Sequence, residues 1–371
     1  AYRDNSNQSR ERTMSTTYEK VAKFLQANTT YRPEVGIICG SGLSGLSKNL
    51  ENAVTFKYED IPGFPVSTVA GHAGELVFGT MGGIQCVCMR GRFHFYEGNS
   101  MEQVVLPVRV MRLMGVKLLI VTNAAGGLNP NFNVGDIMVI QDHFGLPALA
   151  GNHPLRGVND DALGPRFPSV SDAYDERLQQ MVVEAGEALN LDYKIRTDGT
   201  YCFVSGPCYE SKAECRFLRS LGGDSVGMST VPEVIAAKHC GMKILGLSLV
   251  TNKVVVGKED TPAASHQEVL EAVNASGMHV EAIVRRILTK NIVGAYLAEI
   301  PAFVYTPVAS AHGHGNACAS SPAACCPAAK AACCDKKKCC FAGECGNTLV
   351  TVLALGAIVT GLFYVLKHQN K

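Results

Sequence analysis

At 371 residues the chain is too long for a peptide hormone or a small disulfide scaffold, and long enough for one large α/β domain with an appendage. Its 34 Lys and Arg balance 33 Asp and Glu to a net charge of +1, so no global basic field marks it for nucleic acid, and a hydrophobic content of 47% excludes a mostly disordered chain. Of its 15 cysteines, seven are scattered between Cys39 and Cys240 in largely apolar segments and read as small buried hydrophobes in a reducing compartment. The other eight crowd between Cys318 and Cys345, where the composition changes.

The polar residues 1–13 show no signal peptide, and residues 1–17 are expected to form a disordered N-terminal segment outside the folded unit. Met14 opens MSTTYEKVAKFL, which reads as a natural start leading into an amphipathic helix. From 18 to 300 short Val/Ile/Leu-rich runs end in Gly/Ser/Asn loops and alternate with segments of helical period. EVGIICGSGLSG, VKLLIVTNAAGG and MKILGLSLVTNK are such runs, and their lack of alternation suits central strands covered on both faces. An α/β domain with a mainly parallel or mixed sheet follows, with ligands expected beyond the carboxyl ends of its strands. Three S/T-x-x-E capping boxes mark helix starts at Ser211–Glu214, Thr230–Glu233 and Ser265–Glu268. The last opens a helix with Val280, Ile283, Val284, Ile287 and Leu288 on its apolar face.

Several loops carry chemistry. Gly40-Ser-Gly-Leu-Ser-Gly45 matches G-x-G-x-x-G, with Glu59 and Asp60 near the distance of a ribose-binding acid. It reads either as a dinucleotide fingerprint or as a loop for a single phosphate, built from backbone N–H groups and the Ser41 hydroxyl. In Gly91–Gly98, an extended chain would put Arg92, His94 and Tyr96 on one face, with Phe93 and Phe95 on the other. That face is either an oxyanion cradle or the polar side of a half-buried strand. His72 stands between glycines in a turn, and Ala124 lies in a run of small residues that lets a ligand approach the backbone. Ser229 and Glu210 each precede a helix cap, where anions, including an ionised Glu210, are favoured. Asn252 ends an apolar strand with an amide able to read a heterocycle edge. His266 falls in the first turn of its helix, which favours neutral imidazole. No HExxH, paired CxxC or G-x-S-x-G motif occurs between 18 and 300.

From 301 to 347 a low-complexity Ala/Cys/Pro stretch reads as a flexible linker. Residues 348–366 are uncharged, cover about 28 Å as a helix, and read as a membrane tail anchor followed by the polar residues 367–371. The anchor would leave the folded domain at 18–300 cytoplasmic. The Cys pairs 325–326, 333–334 and 339–340 admit acylation, soft-metal binding or an inert spacer. A membrane-tethered protein whose tail binds metal or lipid is thus one alternative reading of the whole chain.

Taken in order, GSGL (40–43), GHAG (71–74), GRFHFYEG (91–98), VTNAAGGLNP (121–130), VGDIM (134–138), PLRGVND (154–160), RFPSVSDAYD (166–175), VGMSTVPEV (226–234) and SLVTNK (248–253) resemble the purine nucleoside phosphorylases of the trimeric, 6-oxopurine-specific type. The resemblance runs from Tyr18 to Leu288 and outweighs the nicotinamide reading of the glycine loop. It implies a single domain with a central mixed, partly barrel-like sheet flanked by helices. It also implies reversible phosphorolysis of inosine, guanosine and their deoxy forms to purine and (deoxy)ribose 1-phosphate. Ser41, His72, Arg92, His94, the Ala124 backbone and Ser229 would hold phosphate, the co-substrate, with no metal and no cofactor. Tyr96, Met228, Tyr209 and His266 would hold the ribose, joined by Phe167 from a neighbouring subunit of a homotrimer. Glu210, Asn252, Tyr209 and Val226 would hold the base. Asn252, Glu210, His94 and His266 carry the catalytic roles. PCYE at 207–210 departs from the more usual PSFE. Methylthioadenosine phosphorylase is the alternative enzyme, but its acidic base-recognition pattern does not occur at 251–253.

Overall fold

The computed structural model describes residues 5–69, 73–257 and 266–306. The elements run β1 (Val35–Cys39), β2 (Glu51–Lys57), β3 (Glu75–Met81), β4 (Ile84–Arg90), β5 (Leu118–Gly127), β6 (Ile137–Gly145), β7 (Ile195–Phe203), β8 (Ser225–Gly227) and β9 (Lys243–Lys253). The helices are α1 (Asn5–Asn28), α2 (Met101–Met114), the single turn α3 (Leu146–Leu149), α4 (Glu176–Ala188), α5 (Lys212–Ser220), α6 (Val231–His239), α7 (His266–Ile287) and α8 (Ala295–Glu299).

All nine strands form one mixed sheet in the order β2-β3-β4-β1-β5-β8-β7-β6-β9, and β9 returns to pair with β5. Strands β5, β8, β7, β6 and β9 therefore close into a ring, and β1, β4, β3 and β2 extend from it. This is the mixed, partly barrel-like sheet expected from the resemblance. Closure removes the edges that β5 and β9 would otherwise expose. The uninterrupted apolar runs follow from burial on both faces: every residue of β1 is buried. Ile38 joins one core with Tyr18, Val105 and Val234, which come from α1, α2 and α6. Ile37 and Cys39 join a second core with Val182, Val273 and Ile283 from α4 and α7. The expected apolar face of α7, Val280 to Leu288, is buried in that second core.

Two boundaries and one burial differ from expectation. α1 begins at Asn5, so helix takes in most of the residues 1–17 read as disordered. The packed body also continues past 300: Phe303 lies against the first core, and the Tyr305 hydroxyl reaches Glu19 at 2.8 Å and Asp160 at 2.9 Å. The seven described cysteines are all free, but only six are buried; Cys208 is exposed because its loop lies at the surface. The linker beyond 306 and the 348–366 span lie outside the described residues.

The glycine loop shows what places the site. Thr122 of β5 donates its hydroxyl to the Ile38 carbonyl and accepts the Gly40 N–H, both at 3.0 Å, which ties the end of β1 to β5. A Cβ on Gly40 would stand 2.7 Å from the Asn123 Cα and 2.8 Å from the Thr122 carbonyl oxygen, both backbone atoms that cannot turn aside. Gly40→Ala should therefore cost about 1–3 kcal/mol of stability through overpacking. Thermal unfolding of the variant beside wild type checks the loss, and an unchanged midpoint would contradict the overpacking.

Candidate active site

One cleft of about 790 Å³, its open mouth included, lies where β1, β5, β8 and β9 end. Its oxyanion-suited wall carries Gly40, Ser41, Arg92, His94, Ala124 and Ser229; Tyr96, Tyr209, Glu210, Val226, Met228 and Asn252 line the rest with Thr251 and Val269. The cleft thus brings together the expected residues, with three exceptions. His72 lies outside the described residues. His266 is the first residue of α7, and its side chain lies outside those described. Phe167 is 88% exposed and lines no part of this cleft.

Arg92 does not sit on a strand. β4 ends at Arg90, Gly91 turns with φ of +107°, and Phe95–Glu97 form a 3-10 turn. The alternating face predicted for Arg92, His94 and Tyr96 is therefore absent, yet the turn still gathers the three. Phe93 is buried against Tyr58 and Phe64 with ring centroids 5.2 and 5.6 Å away, which anchors the turn. Arg92 is itself only 2% exposed. Its Nη1 donates to the Ser229 and Thr230 hydroxyls at 2.6 and 2.9 Å, and Nη2 donates to the Thr122 carbonyl at 2.5 Å.

Thr230 explains how Ser229 meets this guanidinium. The capping box expected at Thr230–Glu233 does not form. Thr230 adopts φ 77° and ψ −54°, and the Val231 N–H donates to the Ser229 carbonyl at 2.9 Å. That is a γ-turn of the strained sense, a geometry held by its surroundings at a cost of about 1–3 kcal/mol. The surroundings are visible. The Thr230 hydroxyl accepts from Arg92 and from Asn123 Nδ2 at 2.9 Å, and Asn123 Oδ1 accepts from Ser248 at 2.6 Å. Its side chain serves the site rather than the helix end.

His94 is held by Glu97, a residue inside the quoted motif that sequence reasoning gave no role. Glu97 Oε1 accepts from the His94 backbone N–H at 2.8 Å and lies 3.0 Å from Nδ1, while Oε2 accepts from the Thr68 N–H and hydroxyl at 2.8 and 2.7 Å. Burial pushes the Glu97 carboxyl up, but these donors outweigh it and bring it down to about 2. Burial lowers the His94 imidazole, against the pull of Glu97. The ring stacks on Tyr96 at 4.6 Å and 19°. Burial also drives the Tyr96 hydroxyl up to about 12, so it stays a neutral donor and acceptor.

At the other end, β9 carries one extra residue opposite β5: Ala125 pairs with Val250 and Gly126 with Asn252, leaving Thr251 as the bulge. A bulge re-aims the side chains beside it. The Thr251 hydroxyl lies 3.3 Å from the Ala125 carbonyl and 3.2 Å from Asn252 Oδ1, while Asn252 Nδ2 faces Gly126. Ser211 caps α5 in the capping box expected of it. For Glu210 ahead of it, burial acts against the helix position and pushes its carboxyl above its ordinary value. α5 also holds the 254–257 segment beside the cleft, Arg216 donating to the Val256 carbonyl at 2.7 Å and Lys212 to Gly257 at 2.9 Å.

β5 links the two ends. Asn123 is hydrogen-bonded to Thr230 in the Arg92 group, and Gly126 pairs with Asn252 across the sheet. The two positions are three steps apart along the strand, about 10 Å. The cleft therefore has a cationic, hydroxyl-rich wall around Arg92 and a separate hydrogen-bonding part at Asn252 and Glu210, with the aromatic rings of Tyr96 and Tyr209 and the Met228 thioether also lining it.

Comparisons with known proteins give the class of protein. The family model described as Phosphorylase superfamily matches residues 34–289. The mouse purine nucleoside phosphorylase is 54% identical over 72% of this chain and 92% of its own. Two solved Schistosoma structures superpose on it: purine nucleoside phosphorylase from Schistosoma mansoni in complex with inosine, at 44% identity and a TM-score of 0.71, and Schistosoma purine nucleoside phosphorylase in complex with guanosine, at 42% and 0.70. Each match covers 74% of this chain and 96% of the other. The chain belongs to the phosphorylase superfamily, within its purine nucleoside phosphorylase family.

Glu97 gives a pH test. Its folded carboxyl lies below its ordinary value of 4.5, so its contribution to stability is full above that value and is lost as pH falls towards about 2. Between about pH 5 and pH 3 the unfolding midpoint of wild type should fall more steeply than that of Glu97→Gln. Parallel slopes would contradict the assignment.

Proposed function

We propose that the chain catalyses the reversible phosphorolysis of 6-oxopurine nucleosides, giving free purine and (deoxy)ribose 1-phosphate. The observation that carries this is the pairing of a buried, hydroxyl-backed Arg92 at one end of a cleft with Asn252 and Glu210 at the other. The mouse and Schistosoma proteins are named purine nucleoside phosphorylases, and the two solved structures hold inosine and guanosine.

The chemistry follows from charge. As the N-glycosidic bond breaks, positive charge grows on the sugar and negative charge on the purine. Phosphate held by Arg92, His94, Ser41, Ser229 and the Ala124 backbone would sit against the sugar, where its charge stabilises the cation and its oxygen forms the new bond to C1′. Tyr96, Met228 and Tyr209 would pack on the ribose, with His266 contributing from the start of α7. Asn252 would donate to the purine as its ring becomes electron-rich, an interaction stronger in the transition state than in the ground state. Glu210 would accept from the ring N–H as a carboxylate, and a base N–H donor would offset the burial that raises its carboxyl. The scheme draws on no cofactor and no metal.

Two further features belong to this reading. The bare ring of Phe167 supports a trimer in which each subunit lends this residue to a neighbour's ribose pocket. The uncharged 348–366 span supports a cytoplasmic enzyme tethered by its C-terminus. Among the described residues no helix is long and apolar enough to cross a membrane. With detergent-free fractionation the full chain should sediment with membranes, and a chain ending at 306 should not; equal solubility of the two would refute the tether.

Base choice is the sharpest test. Wild type should cleave inosine and guanosine at least ~100-fold faster than adenosine, since an unmatched polar group at a recognition site is costly. Asn252→Asp should narrow that ratio, because a carboxylate accepts from a 6-amino group where the amide donates to a 6-oxo group. Phosphate-dependent assays of kcat/KM measure it, and a preference of wild type for adenosine would overturn the assignment.

A further inference from the structure

The buried Arg92 has a second neighbour that the reaction scheme does not use. Glu233, in the first turn of α6, has a side chain 3% exposed and a carboxylate oxygen 3.6 Å from Arg92 Nη1. Neither of its oxygens accepts a hydrogen bond among the described residues. A carboxylate buried this far with no protein donor within hydrogen-bonding reach is rare and needs a reason. Orienting the guanidinium is not that reason. Ser229, Thr230 and the Thr122 carbonyl already fix both terminal nitrogens at hydrogen-bonding distance, and Glu233 stands beyond that distance. What it contributes is charge.

We propose that Glu233 is a resident counter-ion that sets phosphate affinity by competing with phosphate for the field of Arg92. This rests on the phosphate reading of the cleft. In the empty site the pair keeps a buried guanidinium compensated, so the free enzyme carries no isolated interior charge. When a phosphate dianion enters, the same cation is shared between two anions, and their mutual repulsion weakens the complex. Reversible phosphorolysis needs this restraint: phosphate and sugar phosphate must both leave the cradle, and ground-state affinity beyond need slows turnover without aiding the chemistry. Glu233 is thus a positioning residue in the electrostatic sense, acting on phosphate only through Arg92.

The test is phosphate and sulfate binding to the full chain by calorimetry, alongside phosphate-dependent inosine cleavage. Glu233→Gln keeps the shape and removes the charge. It should tighten phosphate and sulfate by at least about tenfold, which is near the fully water-screened end of the range for one unit charge a few Å away, and lower phosphate KM to match. The inosine KM should stay within about twofold, since no contact to nucleoside changes. Phosphate should also raise the unfolding midpoint of Glu233→Gln by more than it raises that of wild type. Glu233→Asp retains the charge and should hold phosphate affinity within about threefold of wild type. A merely structural role predicts the reverse: weaker or unchanged phosphate binding in Glu233→Gln, or equal effects of Gln and Asp, and either result overturns the proposal. Arg92→Gln separates the two levels. If it abolishes phosphate saturation while Glu233→Gln changes nothing, the phosphate site stands and the role of Glu233 falls. If Arg92→Gln leaves phosphate saturation intact, both readings fall together.

Discussion

The architecture turns on a guanidinium with almost no water around it. Arg92 is 2% exposed, and burying such a charge is tolerable only where other groups answer it, as they do at both terminal nitrogens. The answers come from distant parts of the chain: a carbonyl of β5, two hydroxyls ahead of α6, and the carboxylate of Glu233 inside α6. Binding these together fixes how the end of β4, the middle of β5 and the start of α6 meet. The same contacts hold Thr230 in a backbone conformation it would otherwise leave. Strain, buried charge and the glycine loop all sit around one point, and an oxyanion is the ligand such a point suits.

The sheet makes the second half possible. Because β5 belongs to the closed ring and also borders the open wing, one strand reaches both the Arg92 group and Asn252. The Thr251 bulge lets β9 stay in register below and still aim Asn252 at the cleft. A flat, unbulged pairing would send alternate residues to fixed faces and leave the amide no such freedom. Distance between the two ends is thus set by strand geometry rather than by loops.

Much of this was legible from residues alone. Apolar runs without alternation announced strands buried on both faces, and the ring and both cores bear that out. The loop motifs named nearly every polar residue that lines the cleft. What stayed hidden was hidden for physical reasons. Thr230–Glu233 has the letters of a capping box, but Arg92 and Asn123 claim the threonine hydroxyl, and such tertiary claims leave no local periodicity. Glu210 looks favoured as an anion by its place ahead of a helix, yet burial acts the other way. Glu97 and Glu233 are charged residues three positions from a His and from a Thr; that spacing is ordinary, and only packing turns one into a clamp and the other into a counter-ion. Arg92, His94 and Tyr96 do converge, through a turn rather than along a strand.

One crystallographic measurement reaches the central claim directly. Crystals soaked with sulfate and hypoxanthine should show sulfate against Arg92, Ser229 and His94, hypoxanthine against Asn252 and Glu210, and between them a gap that one ribose fills. Sulfate found elsewhere, or the two ligands bound in separate places with no shared cleft, would contradict the account.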